Sequence, residues 1–251
     1  ALRWPVAVSS IQKGSSEGWA STSDTAFDVT ISSVVVDQSV VRFFVDRGQS
    51  GYNGDDEAHL IRAELINSTT LRFTRSGGSG EPTLEWQVIE FDSSTDVQHV
   101  VHSSDGTASQ SSTITAPTSG QSWTETEGAD TSSGYYYGLF GYFWPVPSIS
   151  GTSLDLDFGA SPPSDGEYTV AVVDCPDADV QLATGTGSGS DPTAGVTITA
   201  VDLSVTEAFG YLGVSGQVFV TSTPRCGLTS TTNVEISQAF ADPYSIAVVE
   251  W

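Results

Sequence analysis

Basic side chains are scarce in this chain of 251 residues, in which 8 Lys and Arg stand against 31 Asp and Glu for a formal charge of −23. Because phosphate binding needs clustered Lys and Arg, this balance argues against nucleic acid as a partner. An anionic membrane surface would also repel the chain. High salt would screen its self-repulsion, so two interpretations stay open: an acidic secreted or viral protein, and a protein adapted to a saline medium.

The sequence has only two cysteines and no long apolar run. Cys175 and Cys226 lack a CxxC or Cys/His pattern, which excludes a zinc site of the usual spacing. A disulfide between them and two free thiols are both open. No apolar run approaches the roughly 18 residues of a membrane span, and the N-terminus lacks the regions of a signal peptide. We therefore expect no membrane insertion.

The sequence contains the same series of signals three times. "SIQKG" at Ile11 corresponds to "DVQHV" at Val97 and to "DVQLA" at Val180. Strands rich in β-branched residues and ending in an acid recur as "EWQVIEF", "VAVVD" and "SIAVVEW". The signals recur at about 83 residues, which is the length of a domain and longer than a solenoid repeat.

The repeat divides the chain into three units, here called the first repeat (residues 1–95), the second repeat (96–178) and the third repeat (179–251). A unit of roughly 80 residues buries only a modest share of its surface, so we expect it to gain stability from neighbours or from other copies of the chain.

Within the first repeat, runs of β-branched and aromatic residues are bounded by Gly, Ser, Asn and Asp. Leu71 and Phe73 alternate with polar neighbours in "TLRFTR", and Trp86 does so in "LEWQVIEF". Helical periodicity is not convincing anywhere. The predicted fold is all-β, as three tandem antiparallel β-sandwiches or small barrels.

Charge is unevenly distributed along the chain. The first repeat has 13 acidic and 7 basic residues, whereas residues 96–251 have 18 acidic residues and one basic residue, Arg225. One hypothesis is that the first repeat is an anchor that docks on an acidic partner surface. The other is drift between duplicated domains.

Catalytic motifs are not apparent. His59, His99 and His102 belong to no recognisable nucleophile motif, and no GxSxG, HExxH or P-loop is present, so we expect no enzyme. The loop "GYNGDDEAH" groups hard oxygen ligands that can hold calcium without the spacing of an EF-hand: Asn53, Asp55, Asp56 and Glu57. No other cofactor is expected.

One segment departs from a plain β-domain, namely "SSGYYYGLFGYFWPVP" (residues 132–147). Alternation would bury half of its aromatic side chains in the core of the second repeat. The others would form an interface or a platform for stacking sugars, since Tyr and Trp are favoured where partners bind. The candidate binding patch is Tyr135, Tyr136, Tyr137, Phe140, Tyr142, Phe143 and Trp144.

The stretch "TTLRFTRSGGSGEPTLEWQVIEFDSSTDVQ" resembles a tandem β-domain of structural proteins from tailed viruses, in which a similar strand is followed by "VQ" and the next unit. Val170 and Ile246 replace Trp86 in the later repeats. The resemblance, together with the low lysine content, suggests a phage or a virus of a halophilic or marine host.

From this resemblance we expect a virion structural protein on the exterior of the particle, as a capsid decoration, a turret or a tail component. Its partners would be other copies of itself and capsid or tail proteins. Two alternatives remain: a receptor- or carbohydrate-binding module for a host surface glycan, and a surface protein of a halophilic cell.

Overall fold

A computed structural model describes residues 8–16, 25–46, 61–75, 83–118, 120–130, 145–158, 161–162, 164, 166–186, 193–204, 206–212, 226–237 and 243–250. Strands make up nearly all the regular structure of these residues, with one short 3₁₀ helix at Val36–Gln38. All the strand pairs are antiparallel, which confirms the predicted all-β class.

Within the described residues, each repeat contributes six strands. Those of the first repeat are β1 (Val8–Ser16), β2 (Ala26–Thr30), β3 (Ser39–Asp46), β4 (Ile61–Asn67), β5 (Thr70–Arg75) and β6 (Thr83–Phe91). Those of the second are β7 (Asp96–Ser103), β8 (Ser109–Thr113), β9 (Ser122–Asp130), β10 (Val146–Ser150), β11 (Ser153–Asp157) and β12 (Glu167–Asp174). Those of the third are β13 (Asp179–Thr186), β14 (Thr193–Thr197), β15 (Thr206–Leu212), β16 (Cys226–Ser230), β17 (Asn233–Ser237) and β18 (Pro243–Glu250).

The strand order is the same in all three repeats. The first, sixth and third strands form one sheet, as β1-β6-β3, β7-β12-β9 and β13-β18-β15. The second, fifth and fourth strands form the other, as β2-β5-β4, β8-β11-β10 and β14-β17-β16. One backbone pairing between Arg62 and Gly128 joins β4 to β9 across the first two repeats. The limits drawn from the sequence fall in the connections after β6 and β12.

The two sheets of each repeat enclose its own core. In β5 and β6 the alternate residues Leu71, Phe73, Leu84, Trp86 and Val88 are buried, as their alternation predicts. The residue at the position of Trp86 belongs to the core in every repeat, because Val170 and Ile246 lie in the clusters of the second and third repeats.

In each repeat, a residue of the first strand is paired with the position of Trp86, and this residue is smallest where the position holds the tryptophan. Trp86 is paired with Gly14, Val170 with Val100, and Ile246 with Ala183. A Cβ atom on Gly14 would lie 2.6 Å from the Trp86 ring. Only a residue without a side chain therefore fits opposite the tryptophan.

The repeated glutamine forms the same clamp three times. Gln12, Gln98 and Gln181 lie at equivalent positions, paired with the sixth strand of their own repeat. Each side-chain amide donates to the carbonyl, and each side-chain oxygen accepts from the N–H, of one residue just after the second strand: Ser32, Thr115 and Thr199. The clamp fixes the connection that crosses between the two sheets.

The repeated acid near the end of the sixth strand has a shared function as well. Glu90 accepts a hydrogen bond from the backbone N–H of Val35 at 2.8 Å. Asp174 accepts from Thr118 at 2.7 Å, and Glu250 accepts from Asp202 at 3.0 Å. These carboxylates satisfy backbone groups in the connections between the second and third strands, which would otherwise lack a partner in the sheets.

Candidate functional site

The sheets that contain the sixth strands are apolar on both faces. Their outer faces pack together in one cluster, the central cluster, to which all three repeats contribute. Its buried members are Val40, Ile89, Phe91, Val97, Trp123, Ala171, Val173, Cys175, Ala178, Ala247 and Val249.

Equivalent positions of the three repeats meet in the central cluster. Ile89, Val173 and Val249 lie at one position of the sixth strand. Their partners on the first strand of each repeat, Ile11, Val97 and Val180, belong to the cluster or pack against it. The three repeats therefore use the same face of the same sheet in this contact.

Arg42 connects the three repeats. From β3 of the first repeat, its Nε and Nη2 donate to the two carboxylate oxygens of Glu125 in the second repeat, at 2.8 and 3.0 Å. Its Nη1 lies 3.3 Å from a carboxylate oxygen of Glu207 in the third repeat. Glu125 also accepts from the indole N–H of Trp123. The bidentate geometry gives the pair both strength and direction.

A second carboxylate, Glu127, links the first two repeats. It is fully buried, and it accepts from the backbone N–H of Val41 at 2.7 Å and lies 3.0 Å from Nδ1 of His99. Burial alone would lower the pKa of His99. The charge and hydrogen bond of Glu127, with the carbonyls of Val36 and Ser39, outweigh it and raise that pKa to about 9. His99 is therefore a cation at neutral pH.

Arginines of the first repeat make ion pairs inside the chain. Arg62 binds Glu64 of its own strand and Glu167 of the second repeat, at 3.1 and 2.7 Å. Together with Arg42, this gives the first repeat an acidic partner surface within the same chain. The charge asymmetry seen in the sequence is thus used at least in part for internal docking, so it is not by itself a signal for an external partner.

An open cleft of about 490 Å³ lies where the third repeat approaches the first. Its lining includes the charged side chains of Arg42 and Glu207 and the side chains of Leu203, Cys226 and Leu228. The ion pair between Arg42 and Glu207 therefore borders solvent here, with Glu207 41% exposed, whereas Glu125 is 4% exposed.

Acidic residues crowd the boundary between the first two repeats. Partial burial raises the pKa of Asp96, and the charges of Asp37 and Asp174 raise it further. Across the same boundary the hydroxyl of Ser94 donates to Asp177 at 3.1 Å. The boundary is therefore bonded as well as packed, although its carboxylates repel one another.

The residues predicted as sites from the sequence fall into two groups. The aromatic patch from Tyr135 to Trp144 and the acidic loop Asn53, Asp55, Asp56 and Glu57 lie outside the described residues. The two cysteines are described, and both are free thiols.

The two thiols occupy different environments. Cys175 belongs to the central cluster, whereas Cys226 packs against the core of the third repeat. Burial raises the pKa of the Cys226 thiol to about 11, which keeps it protonated and a poor nucleophile at neutral pH.

Within the described ranges, no three His, Cys, Asp or Glu side chains are grouped as a metal site would require. That part of the chain also has no helix with the length and apolar character to span a bilayer. No protein-family model and no curated protein matches the chain.

The central cluster and the ion pairs of Arg42 together form the junction between the repeats. The sequence alone did not identify its residues. Arg42 and Glu125 are 83 positions apart, and Arg42 and Glu207 are 165 apart, so no local pattern relates them. The available signal was the unbroken apolar run Val170–Val173. A run of this kind indicates a strand buried on both faces, and therefore a neighbour beyond its own sandwich.

Proposed function

We propose that this chain is a non-enzymatic structural component of a virus particle, exposed on its exterior as a capsid decoration, a turret or a tail part. Its partners would be other copies of itself and capsid or tail proteins. The proposal starts from the resemblance of the first repeat to domains of tailed-virus structural proteins.

The observation that carries the proposal is the junction itself. Three sandwiches bury their outer sheet faces in one central cluster, and Arg42 bonds to carboxylates of both other repeats. The repeats are held as one body, which suits a part that must transmit load without rearranging. The glutamine clamp and the acid near the end of each sixth strand fix the connections inside every repeat, and they serve the same purpose.

The charge distribution supports an exterior position. Because Arg42 and Arg62 are engaged with carboxylates inside the chain, few cations are left to offset the acidic groups at the surface. An acidic exterior keeps particles apart by repulsion at moderate salt, and it stays hydrated in brine.

Antibodies against the chain provide the direct test. Applied to particles released by the organism that carries the gene, they should label the particle exterior in electron micrographs. Label confined to the cell surface would contradict the proposal and favour the surface protein of a halophilic cell.

Light scattering at low and at molar salt supplies a second readout. A discrete oligomer that forms or tightens as salt rises is the behaviour expected of an assembly subunit in brine.

A receptor- or carbohydrate-binding module is the second candidate, because seven aromatic residues crowd the segment from Tyr135 to Trp144. If it is correct, a glycan array should show binding that Tyr136→Ala and Trp144→Ala abolish. Binding unchanged by both substitutions would remove the aromatic patch as the site.

A further inference from the structure

The second repeat contains a polar cluster on the strands β7 and β8. His102 on β7 lies with Nδ1 2.7 Å from the hydroxyl of Ser112 and Nε2 2.6 Å from Oε1 of Gln110, both on β8. His102 and Gln110 are buried, and Ser112 is partly exposed. The three residues lie on neighbouring edge strands of the two sheets of this sandwich.

Strand register identifies the equivalent residues in the other repeats. Ser112 is paired with Leu154 of β11, and its equivalents Val29 and Val196 are paired with Leu71 and Val234. Both valines pack against the core of their own repeat.

Gln110 differs in the same way from its equivalent in the first repeat. It occupies the position of Phe27 in the first repeat, which packs against the core there. The second repeat has thus replaced apolar packing with polar groups at two adjacent inward positions.

The hydrogen bonds of Gln110 determine which ring nitrogen of His102 is the donor. The Gln110 amide nitrogen donates to the carbonyl of Thr107 at 2.6 Å, and its oxygen accepts from the backbone N–H of Asp105 at 3.2 Å. The oxygen therefore faces His102, whose neutral ring must donate from Nε2. Nδ1 is left as the acceptor, and the Ser112 hydroxyl donates to it.

We propose that Ser112 is a nucleophilic modification site that accepts an acyl group from an activated ester, with His102 as its general base. The Ser112 oxygen attacks the carbonyl carbon while its proton passes to Nδ1 of His102. The new ester bond forms, the bond to the leaving oxygen breaks, and that oxygen takes the proton from His102. No redox change occurs, and Gln110 holds the imidazole in the required tautomer. This inference is independent of the role on the particle.

The test is to treat the full chain with p-nitrophenyl acetate, an activated ester. Peptide mass spectrometry measures acetylation at Ser112 and at Ser111, an exposed serine on the same strand that serves as the internal control. General-base assistance typically contributes at least about 100-fold, so Ser112 should be acetylated about 100-fold faster than Ser111.

Variants taken from the sister repeats serve as controls. Ser112→Val introduces the residue of both equivalents and should remove the label. His102→Ser introduces the residue at the equivalent position of the first repeat, Ser16, and should reduce the rate at Ser112 to that at Ser111. The melting profile of each variant shows whether it folds.

Two outcomes would overturn the proposal. The first is equal acetylation of Ser112 and Ser111 in the unsubstituted protein. The second is a rate at Ser112 that His102→Ser leaves unchanged.

Discussion

Replacing Arg42 with alanine should destabilise the chain far more than replacing any exposed arginine. The substitution removes the bidentate partner of Glu125, whose side chain is 4% exposed, and leaves that carboxylate charged at the junction of the repeats. Removing one partner of a buried ion pair costs about 3 to 5 kcal/mol. Because Arg42 itself is 24% exposed, the lower half of that range is expected.

Arg72 is a matched control. It makes the same bidentate pair with Asp28, at 2.7 and 2.9 Å, and the pair lowers the pKa of that carboxyl. Both side chains are more than 40% exposed, so Arg72→Ala should change the free energy of unfolding little. The two bidentate pairs have the same bond geometry and differ in burial, and Arg42 has an additional contact with Glu207.

The assay is urea unfolding at low and at molar salt, followed by tryptophan fluorescence and circular dichroism. Salt should reduce the small effect of Arg72→Ala, whereas the effect of Arg42→Ala should persist because the pair is shielded from ions. Equal destabilisation by the two variants would refute the view that the Arg42 pair stabilises the junction.

Three further outcomes are expected. The pair of His99 with Glu127 should stabilise the chain fully below about pH 6.5 and lose its effect as pH rises through about 9, because folding raises the pKa of His99. The free energy of unfolding of the His99→Gln variant should lack this pH dependence. Trp86→Ala should cost roughly 3 to 5 kcal/mol, measured by thermal melting, and an unchanged melt would contradict its core position. Gly14→Ala should cost about 1 to 3 kcal/mol by collision with Trp86. Gly227→Ala, which meets no atom within 4 Å, should be nearly neutral.

The repeated residues recognised in the sequence are those with a bonding function inside one repeat. Gln12 clamps the connection at Ser32, and Glu90 caps the backbone at Val35. These are contacts between side chains and backbone, and they persist when the surrounding residues diverge. Such positions are visible in a single sequence because they recur in order and cannot be exchanged for an apolar residue without loss of the bond.

The ion pair of the junction was less accessible to prediction because its two members differ between the repeats. Arg42 and Glu125 lie at corresponding places on the third strands of their repeats, but one is a cation and the other an anion. An ion pair between sister positions requires them to differ. Comparison of the repeats alone therefore hides it, and only the distances reveal it.

The sequence by itself determined the strands, their buried faces and the threefold recurrence, since alternation and turn residues act over a few positions. The tertiary structure decided how the sheets are ordered, which outer faces meet, and which charges are neutralised. It also brought His102 to Gln110 and Ser112, 8 and 10 positions away on another sheet. These outcomes depend on packing between surfaces distant in the chain, and a local pattern carries no information about which surfaces will face each other.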